Sequence, residues 1–465
     1  MRKLNEICSC ESKANSETEF VGIRCEKPKE NEPLKTSIIF PLGYFKDDDA
    51  LRELPEEELR ECVANLFTVL SDRSLQEQIH QDSSISTFAE ERGETAFPMV
   101  SYLNVIRSFL DFGYLDEKEI IYKKGANGKI SWGRTIKAVR PAITEDEQNL
   151  VYLDFIARKV NYNEDTLITQ VHKFCVHDAL TKLGFLFGIE PSEEPLLDFD
   201  YDLFCNAINS KLAKTYNDRD LHLLADLARI VEYLAGHKTE DGKTADEYYF
   251  GVKKFAPVWE AMVDTIFGTV DNKSAFNPHL HFVTNNSTDS NGETLDNDGD
   301  TNENLRSTLR PDTIMVHGED TFVLDSKYYK YGMTGEKSHL PGAESVCKQM
   351  AYAEYVETHL KEIPAGACPE HAERAGMTSR GVYNAFVMPY CADAGKWDEI
   401  ASAMPRNDNT PYKMCRVGYI YGDWKDCQKP YHKIHCILLD MKSVMQNYAN
   451  SKTSQDVLAR LIRDP

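Results

Sequence analysis

The sequence predicts a mixed α/β fold, and three observations in its second half carry that prediction. An amphipathic segment at 255–267 has helical spacing, two short apolar runs follow it, and a second helical segment at 344–359 precedes three further apolar runs. Apolar residues at a 3.6-residue period indicate helices, whereas short runs rich in β-branched and aromatic residues indicate strands. Residues 251–465 are therefore expected to form one α/β domain.

The two short apolar runs form a predicted β-hairpin. They cover residues 313–316 and 321–324, and the polar residues 317–320 lie between them as a turn. Pairing Val316 with Thr321 places Asp312 opposite Asp325, with Cβ atoms roughly 5 Å apart. Lys327 lies two residues beyond Asp325 and therefore faces the same side of the sheet.

These three side chains have the chemistry of a metal-dependent phosphodiesterase. Two neighbouring carboxylates, Asp312 and Asp325, can hold one divalent cation. The ammonium of Lys327 beside them can steady a water molecule or the charge that develops on a phosphate. The structural alternative for the same pattern is an ordinary ion pair at a strand end, from Asp325 to Lys327 or Arg310.

The helix predicted at 255–267 brings a third acid toward this hairpin. Pro257 suits the first helical turn, and an apolar stripe runs along one side of the segment. Glu260 borders that stripe, so it is a candidate metal or water ligand over the sheet edge. The alternative is a solvated first-turn glutamate that complements the helix dipole.

The helix predicted at 344–359 carries two polar residues beside its buried side. Gln349 and Tyr352 are three residues apart and therefore lie close together on the helix surface. They are candidate accessory residues of the same cleft, with ordinary packing or surface polarity as the alternative. The strand-like runs that follow this helix cover 382–388, 414–421 and 433–439.

The pattern of Asp312, Asp325 and Lys327 resembles the motif of the PD-(D/E)xK nuclease superfamily. Longer stretches look like the LlaJI restriction endonuclease family, which is itself similar to the McrC nuclease subunit. This similarity spans most of the chain from Phe40 onward. The spacing of Gln349 and Tyr352 departs from the Gln-x-x-x-Tyr of RecB-like nucleases. The stretches that carry the resemblance are 128–136, 150–155, 258–260, 309–312 and 324–329.

This resemblance implies the endonuclease subunit of a restriction system in antiviral defence, hydrolysing double-stranded DNA with Mg²⁺ (Mn²⁺ is an alternative ion). Asp312, Asp325 and Lys327 match the catalytic positions, and Glu260 matches the helix acid. The resemblance also implies an McrB-like AAA+ GTPase partner, because McrC-type nucleases work under such a motor. The alternatives are a non-catalytic DNA-binding or motor-regulating subunit, or a nuclease that acts on RNA or single strands.

A basic segment between Lys118 and Arg140 stands out in a chain whose net charge is −22. An acidic chain repels phosphates on average, so contact with DNA requires a local basic surface or a partner. The segment is predicted to form a β-hairpin that turns at Asn127–Gly128. It would contact DNA or the partner, or its lysines would protect an exposed edge strand. The candidate contact residues are Lys123, Lys124, Lys129 and Arg134.

Composition and sequence breaks indicate four regions along the chain. An acidic segment without aromatic or basic residues predicts a flexible loop at 285–304 within the last of them. The regions are a flexible leader at 1–35, a DNA- or partner-contacting domain with the basic hairpin at 36–145, a helical scaffold at 146–250, and the nuclease domain at 251–465.

Two further sequence features bear on where and with what the protein works. The chain has 12 cysteines without a C-x-x-C pair, no signal peptide and no apolar stretch long enough to span a membrane. These features predict a cytoplasmic protein with reduced thiols. No G-x-x-x-x-G-K-[ST] motif occurs in the sequence, so the NTPase activity of the system is expected on the partner.

Overall fold

The computed structural model divides the chain into two compact units. The inserted unit comprises Met1–Leu4 and Gly93–Tyr248, and the discontinuous unit comprises Asn5–Arg92 and Tyr249–Pro465. The acidic loop predicted at 285–304 lies outside the residues that the structure describes. The described residues are 4, 8–12, 20–27, 34–72, 74–75, 97–115, 117–143, 150–163, 166–191, 194–236, 247–281, 306–359, 381–403, 410–449 and 454–463.

A four-stranded sheet begins the discontinuous unit. β1 runs parallel to β3, and β2 runs antiparallel to it. The contact between β2 and β9 is close: a Cβ atom on Gly22 would lie 2.2 Å from the main-chain oxygen of Phe250, so this position requires glycine. In the order β1-β3-β2-β9, the sheet consists of β1 (Cys8–Ser12), β3 (Lys35–Phe40), β2 (Val21–Glu26) and β9 (Tyr248–Val252).

This sheet differs from the flexible leader expected at 1–35, and it places residues 5–92 with the C-terminal part of the chain. Cys8, Cys10 and Cys25 are buried on its strands, and so is Ile23. The strands were not recognised from the sequence because each is short and lies among Lys, Glu and Asn residues. Those polar neighbours mask the period-two alternation on which strand prediction depends.

Two helices follow the first strands: α1 (Asp48–Arg52) and α2 (Glu56–Ser71). Helix α2 has a buried stripe that includes Leu59 and Leu66. Between the sheet and α1, the main-chain N–H of Leu42 donates a hydrogen bond of 2.6 Å to the hydroxyl of Tyr328. The N-terminal segment is therefore fixed to the residue that directly follows Lys327.

The basic segment of the inserted unit belongs to a three-stranded sheet with the order β4-β8-β5. Both β4 and β5 pair with β8, so they do not form the expected hairpin with each other. A local turn signal could not reveal β8, which lies later in the chain and within the region expected to be helical. The elements are β4 (Glu117–Lys124), β5 (Lys129–Ile130), α4 (Trp132–Ala138), β6 (Ala142–Ile143), β7 (Leu150–Val151) and β8 (Ile156–Asn163), after helix α3 (Met99–Phe112).

Helices make up the rest of the inserted unit: α5 (Leu167–Phe187), α6 (Tyr201–Leu212) and α7 (Asp218–Gly236). These helices agree with the helical content expected for 146–250. His172 on α5 is fully buried, and its Nδ1 accepts a hydrogen bond of 2.9 Å from the main-chain N–H of Leu115. His172 is therefore a packed histidine.

A five-stranded sheet carries the C-terminal part of the discontinuous unit. Its order is β12-β13-β14-β16-β15; the three inner strands run parallel, and each edge strand runs antiparallel to its neighbour. The sheet confirms the mixed α/β class and the strands predicted after residue 359. The strands are β10 (His279–His281) and β11 (Arg306–Thr308), which pair separately, then β12 (Thr313–His317), β13 (Asp320–Ser326), β14 (Gly381–Tyr390), β15 (Met414–Tyr421) and β16 (Lys433–Asp440).

The helices of this part begin with α8, the predicted segment with Pro257 in its first turn. On α10, Ala353 and Val356 pack with Ile314 and Val323 of the hairpin in one buried cluster. No helix among the residues described above has the length and apolar content that crossing a membrane requires. The helices are α8 (Ala256–Phe267), α9 (Tyr331–Thr334), α10 (Ala343–His359), α11 (Asp398–Ala403), α12 (Met441–Asn447) and α13 (Gln455–Arg463).

Candidate active site

The hairpin has the register that the sequence predicts. Val316 pairs with Thr321, and Thr313 pairs with Leu324, at the end of the paired region. One residue beyond this pair on each strand, Asp312 and Asp325 face each other at the open end of the hairpin. The main-chain N–H of Ser326 donates a hydrogen bond of 2.8 Å to Oδ2 of Asp312, which fixes the first carboxylate beside the second.

The two carboxyl groups share a poorly solvated site. Burial raises the pKa of Asp312 well above its ordinary value, and the charges of Asp325 and Glu260 raise it further. Burial also raises the pKa of Asp325, which is 5% exposed, although Lys327 opposes that rise. A positive charge placed between the two aspartates would therefore relieve both the repulsion and the cost of burial.

Lys327 is the cation that this site already holds. Its Nζ atom lies 2.5 Å from Oδ2 of Asp325. Burial alone lowers the pKa of Lys327, but the charges of Asp325 and Asp312 outweigh burial, so the net pKa is raised. Lys327 is therefore held as an ammonium beside the two acids, where it can bind a phosphate oxygen or stabilise negative charge on it.

Glu260 lies on α8 and is partly buried. Its negative charge contributes to the raised pKa of Asp312, after burial and Asp325, and to the raised pKa of Lys327, after the two aspartates. The charge of Glu260 therefore acts on the acid pair, whereas the helix register alone left a solvated first-turn glutamate as the alternative. No group of three or more His, Cys, Asp or Glu side chains within the described ranges is arranged to hold a metal ion by itself.

The two aspartates nevertheless suit a hard divalent cation. Mg²⁺ is commonly bound by one or two carboxylates and keeps several waters. Oδ2 of Asp325 is buried and receives no well-aligned hydrogen bond from the described residues; its contact is the ion pair with Lys327. Asp312 and Asp325 would hold the ion, and Glu260, whose charge acts on Asp312, would complete its shell or orient a water.

Gln349 and Tyr352 have different positions on α10. Gln349 is fully buried, and its Nε2 atom donates to the main-chain oxygen of Val323 at 3.0 Å and to Oδ1 of Asn384 at 2.6 Å. It therefore connects α10 to the sheet. Tyr352 is buried nearer the acids: burial raises its pKa, and the charges of Asp325 and Asp312 raise it further.

The four basic candidates lie in the inserted unit and are exposed: Lys123, Lys124, Lys129 and Arg134. Lys124 forms an ion pair of 2.6 Å with Asp154, and the guanidinium of Arg134 lies 3.9 Å from the ring centroid of Tyr122.

Sequence reasoning missed a further exposed cation in the same sheet, Arg158 on β8. Arg158 lies opposite Tyr122 on one side and opposite Lys129 on the other, so these three residues share a face. The alternation of polar and apolar residues in 156–163 was the available signal for this strand.

Paired aspartates with a lysine, on a hairpin of a mixed α/β sheet, define a class of candidate phosphodiesterases. The chain belongs to the LlaJI restriction endonuclease family, because residues 42–403 match the model of that family.

One curated relative is the type II restriction enzyme BsuMI component YdjA of Bacillus subtilis strain 168, which is 26% identical over 259 residues. The match covers 53% of this chain and 51% of that protein, so the chain spans about half the length of this relative.

Among solved structures, one match is the refined half-complex from the tetradecameric assembly of Thermococcus gammatolerans McrB AAA+ hexamers with bound McrC. It covers 93% of this chain and 82% of the matched chain, at 12% identity and a TM-score of 0.28. Because the TM-score and the identity are both low, this likeness carries no argument about fold or partner.

Proposed function

We propose that this protein is the Mg²⁺-dependent endonuclease subunit of a restriction system and hydrolyses double-stranded DNA at a PD-(D/E)xK site. One observation carries the proposal: the hairpin register sets Asp312 against Asp325 and holds Lys327 beside them. Membership of a restriction endonuclease family supports DNA as the substrate. The ion would supply an activated water and a Lewis acid for the phosphate oxygens.

Each residue of the site has a distinct role in this proposal. Asp312 and Asp325 bind the cation, and Asp325 also orients the ammonium of Lys327. Lys327 stabilises the charge that builds on the phosphate, since it is held as a cation in a poorly solvated site. Glu260 completes the ion's shell or orients the attacking water from the side of α8.

We also propose an McrB-like AAA+ GTPase as partner. The resemblance to McrC-type nucleases suggests it, and the curated relative is described as one component of a restriction enzyme. The net charge of −22 supports the same arrangement, because an acidic chain binds DNA weakly without a local basic surface or a second protein. The exposed cations of the β4-β8-β5 sheet would serve this partner or the DNA backbone.

A cleavage assay tests the proposal directly. Purified protein is incubated with duplex DNA, single-stranded DNA or RNA, with Mg²⁺ or with a chelator, and with or without a candidate McrB-like GTPase and GTP. Cleavage of duplex DNA that requires Mg²⁺ and is lost in Asp312→Ala, Asp325→Ala and Lys327→Ala is the expected result. Activity in Asp325→Ala near that of the unchanged protein would refute the site, and cleavage of RNA or single strands alone would refute the substrate.

A further inference from the structure

We propose that Lys273, with Asp264 as its partner, is a positioning residue for Asp312 and thereby sets the affinity of the acid pair for its metal ion. This inference rests on the proposed function, since it assumes that Asp312 is a metal ligand. Lys273 lies in a short 3₁₀ helix, Lys273–Phe276, and is far from Asp312 in the sequence.

Lys273 contacts the main chain of Asp312 directly. Its Nζ atom donates a short hydrogen bond to the carbonyl oxygen of Asp312 and forms an ion pair of 2.8 Å with Oδ1 of Asp264. The side chain of Lys273 is 20% exposed and that of Asp264 is 25% exposed. An ammonium shared between a carboxylate and a carbonyl makes charge-assisted hydrogen bonds, which are stronger than neutral ones.

Asp312 is thereby held at two points. Lys273 fixes its carbonyl oxygen, and the N–H of Ser326 fixes its carboxylate oxygen Oδ2. Asp312 precedes β12 and so lies outside the paired strand. Without these two contacts, its peptide could rotate and carry the carboxylate away from Asp325. Lys273 supplies the contact that β12 pairing does not.

Helix α8 carries both Asp264, the partner of Lys273, and Glu260. Asp264 follows Glu260 by four residues, so both carboxylates lie on one face of α8. Glu260 acts on the carboxyl group of Asp312 through its charge, whereas Asp264 acts on the carbonyl group of Asp312 through Lys273. The segment after α8 also contacts β12, where Thr269 N–H donates to the oxygen of Ile314 at 3.0 Å.

The test measures metal binding on the full chain, independently of cleavage, by titration with Mn²⁺ monitored by electron paramagnetic resonance. Lys273→Met is expected to weaken Mn²⁺ binding by about 10- to 100-fold, the usual effect of removing a group that orients a metal ligand. Lys273→Arg is expected to recover most of the affinity, because a guanidinium can reach the same two oxygens. Asp264→Asn, which keeps the lysine, is expected to give a smaller loss and serves as the second variant if Lys273→Met does not fold.

Lys425→Met is the matched control. Lys425 is 22% exposed and forms an ion pair of 2.8 Å with Glu354, so its exposure and its ion-pair distance are close to those of Lys273. It should leave Mn²⁺ affinity unchanged. Equal affinity in Lys273→Met and the unchanged protein, or an equal loss in Lys425→Met, overturns the inference and leaves the proposed function standing. Failure of the unchanged protein to bind Mn²⁺ overturns both.

Discussion

Gln349 and Asn384 exchange two hydrogen bonds across the interface between helix α10 and strand β14. The Nε2 atom of Gln349 donates to Oδ1 of Asn384 at 2.6 Å, and Nδ2 of Asn384 donates to the main-chain oxygen of Gln349 at 3.1 Å. Both side chains are fully buried. Gln349 also donates to the main-chain oxygen of Val323, which lies two residues before Asp325. The pair therefore holds helix α10 against the sheet close to the acid pair.

The first prediction separates the two accessory candidates on α10. Gln349→Ala should lower the free energy of unfolding by about 2–4 kcal/mol, because it leaves buried polar groups without a partner and opens a cavity. Tyr352→Phe should cost less stability and reduce the cleavage rate, because the charges of Asp325 and Asp312 act on its hydroxyl and help to raise its pKa. Denaturant unfolding and single-turnover cleavage measure the two effects. A Gln349→Ala protein that is stable but inactive would contradict the structural role given to this residue.

The second prediction concerns the stability that the protein loses by burying Asp312 beside Asp325. The pKa of Asp312 is raised in the folded protein, so the stability of the fold falls as the pH rises above 3.8, the ordinary value for this carboxyl, toward the raised pKa. At neutral pH without metal, Asp312→Asn should therefore raise the free energy of unfolding by about 1.4 kcal/mol for each unit of pKa shift relieved. Saturating Mg²⁺ should stabilise the unchanged protein and not the variant. Thermal unfolding with and without chelator measures both, and a less stable variant in chelator would contradict the prediction.

The third prediction concerns Glu260. Glu260→Gln should slow cleavage by about 10- to 100-fold. The substitution removes the charge of the third carboxylate, but both metal-binding aspartates remain. Asp325→Ala should abolish cleavage in the same assay. Single-turnover rates at saturating Mg²⁺ distinguish these effects. If the two variants lost activity equally, Glu260 would have to be counted as an indispensable ligand.

The fourth prediction concerns the basic sheet of the inserted unit. Charge reversal at Lys124 and Lys129 should abolish activity of the assembled system while the discontinuous unit stays folded. If DNA is the ligand, the slope of log affinity against log salt should fall by roughly one unit for each lost phosphate contact. If the partner is the ligand, the two proteins should no longer purify together.

Lys159→Glu is the control for this surface. Lys159 is exposed next to Arg158 on β8, and adjacent strand residues project to opposite faces. Lys159→Glu therefore makes the same single charge reversal as Lys129→Glu, on the other side of the sheet. An equal loss of activity in this control would show that the net charge of the sheet matters, and that the face on which the charge lies does not. Arg158→Glu, in contrast, should behave like Lys129→Glu, because the two side chains lie opposite each other.

The fifth prediction concerns the stability of the inserted unit in acid. Burial lowers the pKa of His172 to about 4, from 6.5. The unfolded chain takes up this proton below 6.5, so stability is present above that pH and is lost as the pH falls toward 4. The loss attributable to His172 should be about 3 kcal/mol. His172→Gln keeps an acceptor for the N–H of Leu115 and should flatten the dependence, whereas the exposed His222→Gln should leave it unchanged.

The hairpin could be predicted from the sequence because its information is local. Strand alternation and a short turn fix which residues face each other, so the opposition of Asp312 and Asp325 follows from counting. For Glu260, the helical repeat left two alternatives, a ligand over the sheet edge and a solvated first-turn glutamate. These signals depend on residues close together in the chain, and the structure agrees with them.

Long-range partners could not be predicted in this way. β8 separates β4 from β5, and β9 completes a sheet whose other strands lie near the start of the chain. Lys273 contacts a main-chain oxygen, which carries no side-chain signature in the sequence. In each case the pairing depends on the tertiary fold, and local periodicity contains no information about it.

The discontinuous unit also has a consequence for biosynthesis. The ribosome makes β3 early and β9 only after the whole inserted unit, and at about 5–20 residues per second the interval is roughly 10–40 s. The acid pair comes later still, and β16, which completes the parallel strands beside it, is the last described strand to be made. A nascent chain therefore has no finished acid pair on a formed sheet before β16 has been made. If the site cleaves DNA as proposed, the order of translation delays that activity until this strand exists.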